Sequence, residues 1–169
     1  MTEPTTSTAK TYDAVQNPEP KAIVVYCGDP RFQKAFEQFI ETELGLKKGQ
    51  YIPMVVGGGA AVLAHPEKLP KEFKFMKDRF ELYGGYFGSI RRVVLINHED
   101  CKYYESLKER VLGFLGAHPQ LADRSREDLP AIAGIFDRLL SHLGVAVELY
   151  YAKFTDPGHA KIVFEPIKV

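Results

Sequence analysis

Three short apolar runs, each followed by a polar or glycine-rich loop, constrain the fold of this chain more than any other feature. They span residues 22–27, 51–56 and 92–97, and they enter loops at residues 28–30, 57–59 and 98–101. Apolar, β-branched runs of this length are typical of strands buried in parallel sheets. A helical pattern follows each loop, so the order of strand, loop and helix recurs and predicts an α/β fold.

The helical segments carry apolar residues at intervals of three and four. Their apolar positions are Phe32, Phe36, Phe39, Ile40 and Leu44; Phe73, Met76, Phe80 and Tyr83; Leu107, Val111, Phe114 and Leu115; and Ile132, Ile135, Phe136, Leu139, Leu140 and Leu143. Gly45 and Gly144 stand where the first and last helices are expected to end, because a left-handed residue commonly closes a helix. The last helix is expected to follow the charged stretch at residues 123–128.

Two further strands are predicted near the C-terminus, over residues 145–154 and 160–167. The turn sequence at residues 156–158, Asp-Pro-Gly, predicts that they form an antiparallel hairpin. The whole pattern predicts a single α/β domain over residues 21–169, with a mainly parallel central β-sheet flanked by helices. Residues 1–20 are rich in Thr, Pro and Glu and are expected to form a flexible arm.

Charge and hydropathy argue against two classes of partner. The 22 basic and 22 acidic residues cancel, whereas proteins that bind nucleic acid usually carry a basic surplus that neutralises phosphates. No apolar run approaches the roughly 20 residues that a membrane-spanning helix needs. The N-terminal segment lacks the apolar centre of a signal peptide, so we expect a cytoplasmic protein that binds neither nucleic acid nor membranes.

Cys27 and Cys101 are the two cysteines of the chain, and three interpretations are open. They could form a disulfide in a secreted protein, or serve separately as a buried thiol and a helix-capping thiol. The third interpretation is a metal site. Cys27 ends the first strand, His98 ends the third, and Cys101 lies one helical turn further, so neighbouring strands would bring them together at one edge of the sheet. Two thiolates and one imidazole suit Zn²⁺ and leave one tetrahedral position open, as in catalytic zinc sites.

Two local patterns point to a known family. Residues 27–31 read Cys-x-Asp-x-Arg, and residues 98–101 read His-x-x-Cys. With a glycine-rich loop between them, these patterns resemble the paired signature of β-class carbonic anhydrases over roughly residues 22–111. This chain has Pro30 where the family usually has serine, and Lys102 where it usually has glycine.

The resemblance implies a function and a set of site residues. It implies that Cys27, His98 and Cys101 are the three ligands of Zn²⁺. It also implies that Asp29 and Arg31 form a catalytic pair. Gly58 and Gly59 are implied to lie close to the substrate. The reaction it implies is the reversible hydration of carbon dioxide to bicarbonate by a zinc-bound hydroxide. It further implies a homodimer or a higher homo-oligomer.

The catalytic pair has a specific role in this interpretation. Asp29 would orient the hydroxide, while Arg31 would pair with Asp29 and keep it off the metal. Taken alone, Asp29 is a turn or helix-capping residue and Arg31 a solvated residue of a first helical turn. Two other functions stay open, namely hydrolysis of carbonyl sulfide or carbon disulfide at the same zinc, and a non-catalytic zinc-binding module.

A proton shuttle is also expected close to the metal, because the reaction releases a proton. His65 follows the glycine-rich loop and is favoured over His118, His142 and His159, although none is assigned. Tyr103 and Tyr104 follow the second cysteine and are candidates to border the pocket, again without an assigned role.

Overall fold

The computed structural model describes residues 9–106 and 121–169. The strands are β1 (Ala22–Cys27), β2 (Tyr51–Val56), β3 (Arg92–His98), β4 (Ala146–Phe154) and β5 (Ile162–Ile167); the helices are α1 (Gln33–Thr42), α2 (Ala61–Ala64), α3 (Pro70–Tyr86), α4 (described over residues 102–106) and α5 (Leu121–Leu139). The positions Leu107, Val111, Phe114 and Leu115 of a predicted helix lie outside the described residues. Among the described helices, none is both long and apolar enough to span a membrane.

The five strands form one sheet in the order β2-β1-β3-β4-β5. The first four strands run parallel to one another, and β5 pairs antiparallel with β4. This topology confirms the predicted α/β fold with a mainly parallel sheet and a C-terminal antiparallel pair. Pro53 is tolerated in β2 because that strand lies at the edge of the sheet, where one side of its backbone needs no partner strand.

Apolar side chains pack on both faces of the sheet. Successive residues of a strand point to opposite faces, so β1 sends Ile23 and Val25 to one side and Val24 to the other. Helices α3 and α5 cover the first face, where the rings of Phe80 and Phe136 lie 4.9 Å apart. Helix α1 covers the second face. The central strands are therefore buried on both sides, which explains their uninterrupted apolar sequences.

Helix α5 differs from the sequence prediction at both of its ends. Helix α5 begins at Leu121, so the charged stretch at residues 123–128 belongs to the helix and does not precede it. Ser125 and Asp128 are buried there, where Ser125 donates to the backbone oxygen of His98 and Asp128 accepts from the hydroxyl of Tyr104 on α4. Gly144, with a φ of 61°, closes a short 3₁₀ turn after α5 and not the helix itself.

The carboxyl ends of β1 and β3 mark the point where the strand order reverses. After β1 the chain passes through α1 to β2 on one side, and it then crosses to β3 on the other side of β1. β1 and β3 are therefore parallel neighbours that end at the same edge. Open α/β sheets bind ligands at such a point, so the topology favours a site here.

Candidate metal centre

Three potential metal ligands meet at this edge of the sheet. Cys27 is the last residue of β1, His98 is the last residue of β3, and Cys101 immediately precedes α4. Their ligand atoms lie within 4.8 Å of one another, and all three side chains are buried. The structure thus brings together the three residues that the sequence pattern indicated. The cluster fits a metal site.

The two sulfur atoms form no disulfide. The Sγ atoms of Cys27 and Cys101 lie 3.9 Å apart, and both cysteines are free. A disulfide bond would require about 2.05 Å. Two thiolates bound at about 2.3 Å to one tetrahedral Zn²⁺ lie about 3.8 Å apart, which agrees with the observed separation. The sulfur geometry therefore fits a tetrahedral ion of the size of zinc.

One ring nitrogen of His98 forms a hydrogen bond, and the other has no hydrogen-bond partner among the described residues. Its Nδ1 lies 2.7 Å from the backbone oxygen of Glu99, and because a carbonyl only accepts, Nδ1 carries the proton. The ring packs on Phe32 with centroids 4.2 Å apart, which restricts its orientation. In the described part of the chain, Nε2 is the one buried side-chain nitrogen or oxygen without a hydrogen-bond partner. A buried lone pair in this state is what a metal ligand requires.

Hydrogen bonds prepare Cys27 for the thiolate form. The hydrogen bond with Cys101 lowers the pKa of Cys27 to about 4 against the opposing effect of burial, and the backbone N–H of Gly58 makes a smaller contribution in the same direction. That N–H donates to Sγ at 3.3 Å. Either sulfur of the pair could be the donor, and the pKa of Cys101 is raised because of its hydrogen bond with Cys27. One thiolate is therefore available at neutral pH, and a metal ion can displace the proton of the second thiol.

A pocket of about 560 Å³ opens beside Cys27. Its walls include Asp29 and Arg31 from the loop after β1, Gly57 from the glycine-rich loop, and Lys102 and Tyr103 from the start of α4. Three protein ligands leave one position of a tetrahedral ion free. Small molecules from solvent can enter this pocket, which reaches one of the three ligand residues, Cys27.

Asp29 and Arg31 form a bidentate ion pair at the wall of this pocket. Nε of Arg31 donates to Oδ1 of Asp29 at 3.1 Å, and Nη2 donates to Oδ2 at 2.7 Å. The backbone N–H of Arg31 adds a bond to Oδ1 at 3.0 Å. These hydrogen bonds hold the pKa of Asp29 below its usual range, so the carboxylate is ionised at neutral pH. The two residues are thus placed as a pair, and their roles in a reaction remain a proposal.

Protein atoms fit closely around the glycine-rich loop. A β-carbon on Gly58, whose φ is +80°, would lie 2.2 Å from Cδ1 of Tyr103. A β-carbon on Gly59, whose φ is +58°, would lie 2.6 Å from the backbone oxygen of Ile96. Packing therefore requires glycine at both positions, whatever else approaches them. Contact of Gly58 and Gly59 with a substrate stays a prediction.

A buried polar network behind the ligands was not apparent from the sequence. The Oδ1 atom of Asn97 accepts from the N–H of Ala60 at 3.0 Å, and its Nδ2 donates to the backbone oxygen of Ser125 at 2.8 Å. The hydroxyl of Tyr104 donates to Asp128 at 2.9 Å. The network joins α4 to α5 and ties the glycine-rich loop to the end of β3. An asparagine at the end of an apolar strand was the one visible signal.

The histidine favoured as a proton shuttle belongs to this network. The Nε2 atom of His65 lies 3.3 Å from Oδ2 of Asp128 and 3.4 Å from Nη2 of Arg124. His65 does not line the metal pocket, and neither do His142 and His159. His118 lies outside the described residues. The expectation of a shuttle at His65 stays a prediction.

Asp100 is a second carboxylate near the ligands, and the sequence analysis did not assign it. It lies between His98 and Cys101 and has a φ of 51°. Arg31 donates to its side chain at 2.5 Å and to its backbone oxygen at 2.7 Å. The sequence contains no signal for this contact, because the two residues are 69 positions apart.

Comparisons with known proteins add little to this geometry. No protein-family model matches the sequence, and no curated protein matches it. Among solved structures, the chain is similar to one of two tetrameric beta-carbonic anhydrases from the filamentous ascomycete Sordaria macrospora. The identity is 13%, the TM-score is 0.47, and the match covers 89% of this chain and 82% of that chain. So distant a likeness decides no function, and the proposal below depends on the residues of the metal centre.

Proposed function

We propose that the protein is a zinc-dependent carbonic anhydrase, which reversibly hydrates carbon dioxide to bicarbonate. The observation that carries the proposal is the buried cluster of Cys27, His98 and Cys101, whose unpartnered imidazole nitrogen and paired sulfurs fit a tetrahedral ion. The cluster adjoins a pocket whose wall holds an ionised carboxylate, Asp29. The resemblance of the two sequence patterns to those of β-class carbonic anhydrases supports the same function.

The proposed division of labour follows from the chemistry of each group. Bound zinc supplies a water whose pKa is lowered to about 7, and hence a nucleophile at neutral pH. Asp29 accepts a hydrogen bond and so orients the group that attacks carbon dioxide. Arg31 keeps that carboxylate ionised and turned toward the guanidinium.

The glycine-rich loop has two proposed roles. The N–H of Gly58 holds the sulfur of Cys27, which fixes one ligand. Gly58 and Gly59 are also proposed to lie near the substrate, since Gly57 of the same loop lines the pocket. Backbone without side chains lets a small molecule approach closely.

Hydrolysis of carbonyl sulfide or carbon disulfide at the same zinc is the second candidate function. A second cavity, of about 410 Å³, shares Gly57 and Tyr103 with the metal pocket. Its apolar lining includes Val56, Val62, Phe75 and Met76. Such a lining suits neutral, apolar substrates, so these two compounds belong in any assay of activity.

Self-association is proposed together with this function. Several large apolar side chains of the described residues are exposed, among them Val55 at 47%, Phe75 at 52%, Leu82 at 50% and Tyr86 at 77%. This surface is available for a homodimer or a higher homo-oligomer. A cytoplasmic location stays a prediction from the sequence.

The first part of the test measures metal content after extensive dialysis of the zinc-loaded full chain. We expect about one zinc per parent chain and loss of most zinc from Cys101→Ser and His98→Ala. His142→Ala is the matched control, because His142 is exposed and outside the cluster, and it should keep its zinc. Full retention by Cys101→Ser would remove Cys101 from the ligand set.

The second part measures carbon dioxide hydration by stopped flow with zinc-loaded protein. We expect Asp29→Ala to keep zinc and to lose about 100-fold in rate, because a group that orients or accepts protons contributes on that scale. Glu105→Gln is the control, since Glu105 is a nearby exposed carboxylate paired with Lys102. A zinc-loaded parent without hydration activity would refute the proposal. Turnover of carbonyl sulfide or carbon disulfide by that protein would favour the second candidate, and no turnover at all would favour a non-catalytic zinc module.

A further inference from the structure

Arg31 connects the two loops that carry the metal ligands. On its own loop it binds both carboxylate oxygens of Asp29. On the loop after β3 its Nη1 donates to Oδ2 of Asp100 at 2.5 Å, and its Nη2 donates to the backbone oxygen of Asp100 at 2.7 Å. The guanidinium therefore lies between two aspartates, one from each loop.

The position of Asp100 makes this contact specific. Asp100 lies between His98 and Cys101, so any shift of its backbone would also move two of the clustered side chains. Its φ of 51° is uncommon for a residue with a β-carbon, although aspartate tolerates it better than most. In this conformation, the side chain and the backbone oxygen of Asp100 both accept hydrogen bonds from Arg31.

Asp29 and Arg31 could otherwise move together. They are two residues apart on one loop, so their ion pair alone does not fix the guanidinium relative to the loop after β3. Within the described part of the chain, the hydrogen bonds that Arg31 donates beyond its own loop both end on Asp100. Asp100 is thus the polar anchor of the Arg31 side chain on the second loop, whereas Gln33 holds the backbone oxygens of Cys27 and Asp29 on the first.

We propose that Asp100 is a positioning residue, which holds Arg31 in the orientation that keeps the carboxylate of Asp29 away from the metal. The inference rests on the proposed zinc site. Without the negative charge of Asp100, Arg31 keeps only its bond to the backbone oxygen of that residue on the second loop, and Asp29 can then move to occupy the open metal position. The site then changes from open to closed, with no change in its three protein ligands.

The alternative is that Asp100 belongs to an ordinary surface cluster. Its side chain is 40% exposed, and the ammonium of Lys102 lies 3.9 Å away. Such exposed ion pairs contribute little. The two explanations predict opposite effects on anion binding at the metal, because removing a negative surface charge should strengthen the binding of an anion.

The test uses the full chain loaded with Co²⁺ in place of zinc and titrated with thiocyanate, which binds an open metal position and changes the visible absorption of the ion. We expect Asp100→Asn to weaken thiocyanate binding about tenfold, because an apparent dissociation constant rises as the competent fraction falls. Asp100→Gly should behave alike, and it accepts a positive φ if the asparagine variant fails to fold. Glu105→Gln is the control for the loss of a nearby surface negative charge, and it should bind thiocyanate as tightly as the parent or slightly more tightly.

A double variant decides whether the effect passes through Asp29. Asp29→Ala combined with Asp100→Asn should bind thiocyanate at least as tightly as the parent, because no carboxylate is left to close the site. Binding by Asp100→Asn that equals or exceeds that of the parent would overturn the inference, and so would weak binding by the double variant. If the parent binds Co²⁺ and shows the expected pattern but hydrates no carbon dioxide, the proposed function fails and the role of Asp100 stands. If no Co²⁺ binds, both fail.

Discussion

Replacement of Gly58 by alanine measures how closely the glycine-rich loop fits against Tyr103. The new β-carbon would lie 2.2 Å from Cδ1 and 2.9 Å from Cγ of the ring. Because Cγ is the ring atom nearest the backbone, rotation of the ring about its own axis cannot relieve the contact. The whole side chain or the loop must move. Overpacking of this kind costs about 1–3 kcal/mol, and a left-handed φ adds roughly 1–2 kcal/mol for a residue with a β-carbon.

These contributions predict how much Gly58→Ala lowers the free energy of unfolding in two backgrounds, the parent protein and the Tyr103→Ala variant. Alanine recovers about 0.5 kcal/mol by restricting the unfolded chain, so Gly58→Ala should lower the free energy of unfolding by about 3 kcal/mol in the parent. In the Tyr103→Ala background the steric clash is absent, and the same substitution should cost only about 1 kcal/mol. The coupling energy between the two positions is then about 2 kcal/mol.

The assay is urea unfolding of the metal-free, reduced protein, followed by circular dichroism and analysed by linear extrapolation. Gly85→Ala is the matched control, because no atom lies within 4 Å of a β-carbon built at that position near the end of α3. It should leave stability unchanged or raise it by up to about 1 kcal/mol. An equal cost of Gly58→Ala in both backgrounds would refute the steric explanation and leave only backbone strain.

Two further substitutions test polar groups away from the metal. Tyr104→Phe removes a hydrogen bond to the buried carboxylate of Asp128 and should cost about 1–3 kcal/mol in the same urea assay, whereas Tyr12→Phe, at a residue 85% exposed, should cost nothing measurable. A hydrogen bond from Lys153 lowers the pKa of Glu165, so its contribution to stability is full above the pKa of an unfolded glutamate and is lost as the pH falls through the lowered value. The difference in urea midpoint between the parent and Glu165→Gln should therefore shrink between pH 6 and pH 3; a constant difference would contradict the assignment.

The strands were predictable because burial on both faces leaves a simple pattern. All six residues of β1 are buried, and its bounds match the apolar run in the sequence. The start of α5 was not predictable in the same way. Ser125 and Asp128 look like solvated residues in the sequence, but both are buried and are held by polar groups on other elements. A local pattern cannot show that a distant residue will supply a hydrogen-bond partner.

The candidate site likewise contains some residues that could be predicted from the sequence and others that could not. The meeting of Cys27 with His98 could be inferred because both end apolar strands, and neighbouring parallel strands end at one edge. Asn97 and Asp100 could not be assigned, since their partners Ala60 and Arg31 are 37 and 69 positions away. The ligands of the cluster can thus be predicted from the ends of the strands, whereas the groups that hold those ligands are identified only in the three-dimensional structure.

The contacts around the ligands also determine how variants of the site can be interpreted. Gly58 holds the sulfur of Cys27, and the backbone oxygen of Glu99 holds the ring of His98. Both contacts are made by protein atoms, and apolar side chains fill the core on both faces of the sheet. This differs from small zinc domains, in which metal binding supplies the free energy of folding. Loss of zinc from a ligand variant therefore reports a change in the donor set, because the sheet that presents the donors owes its stability to its apolar core.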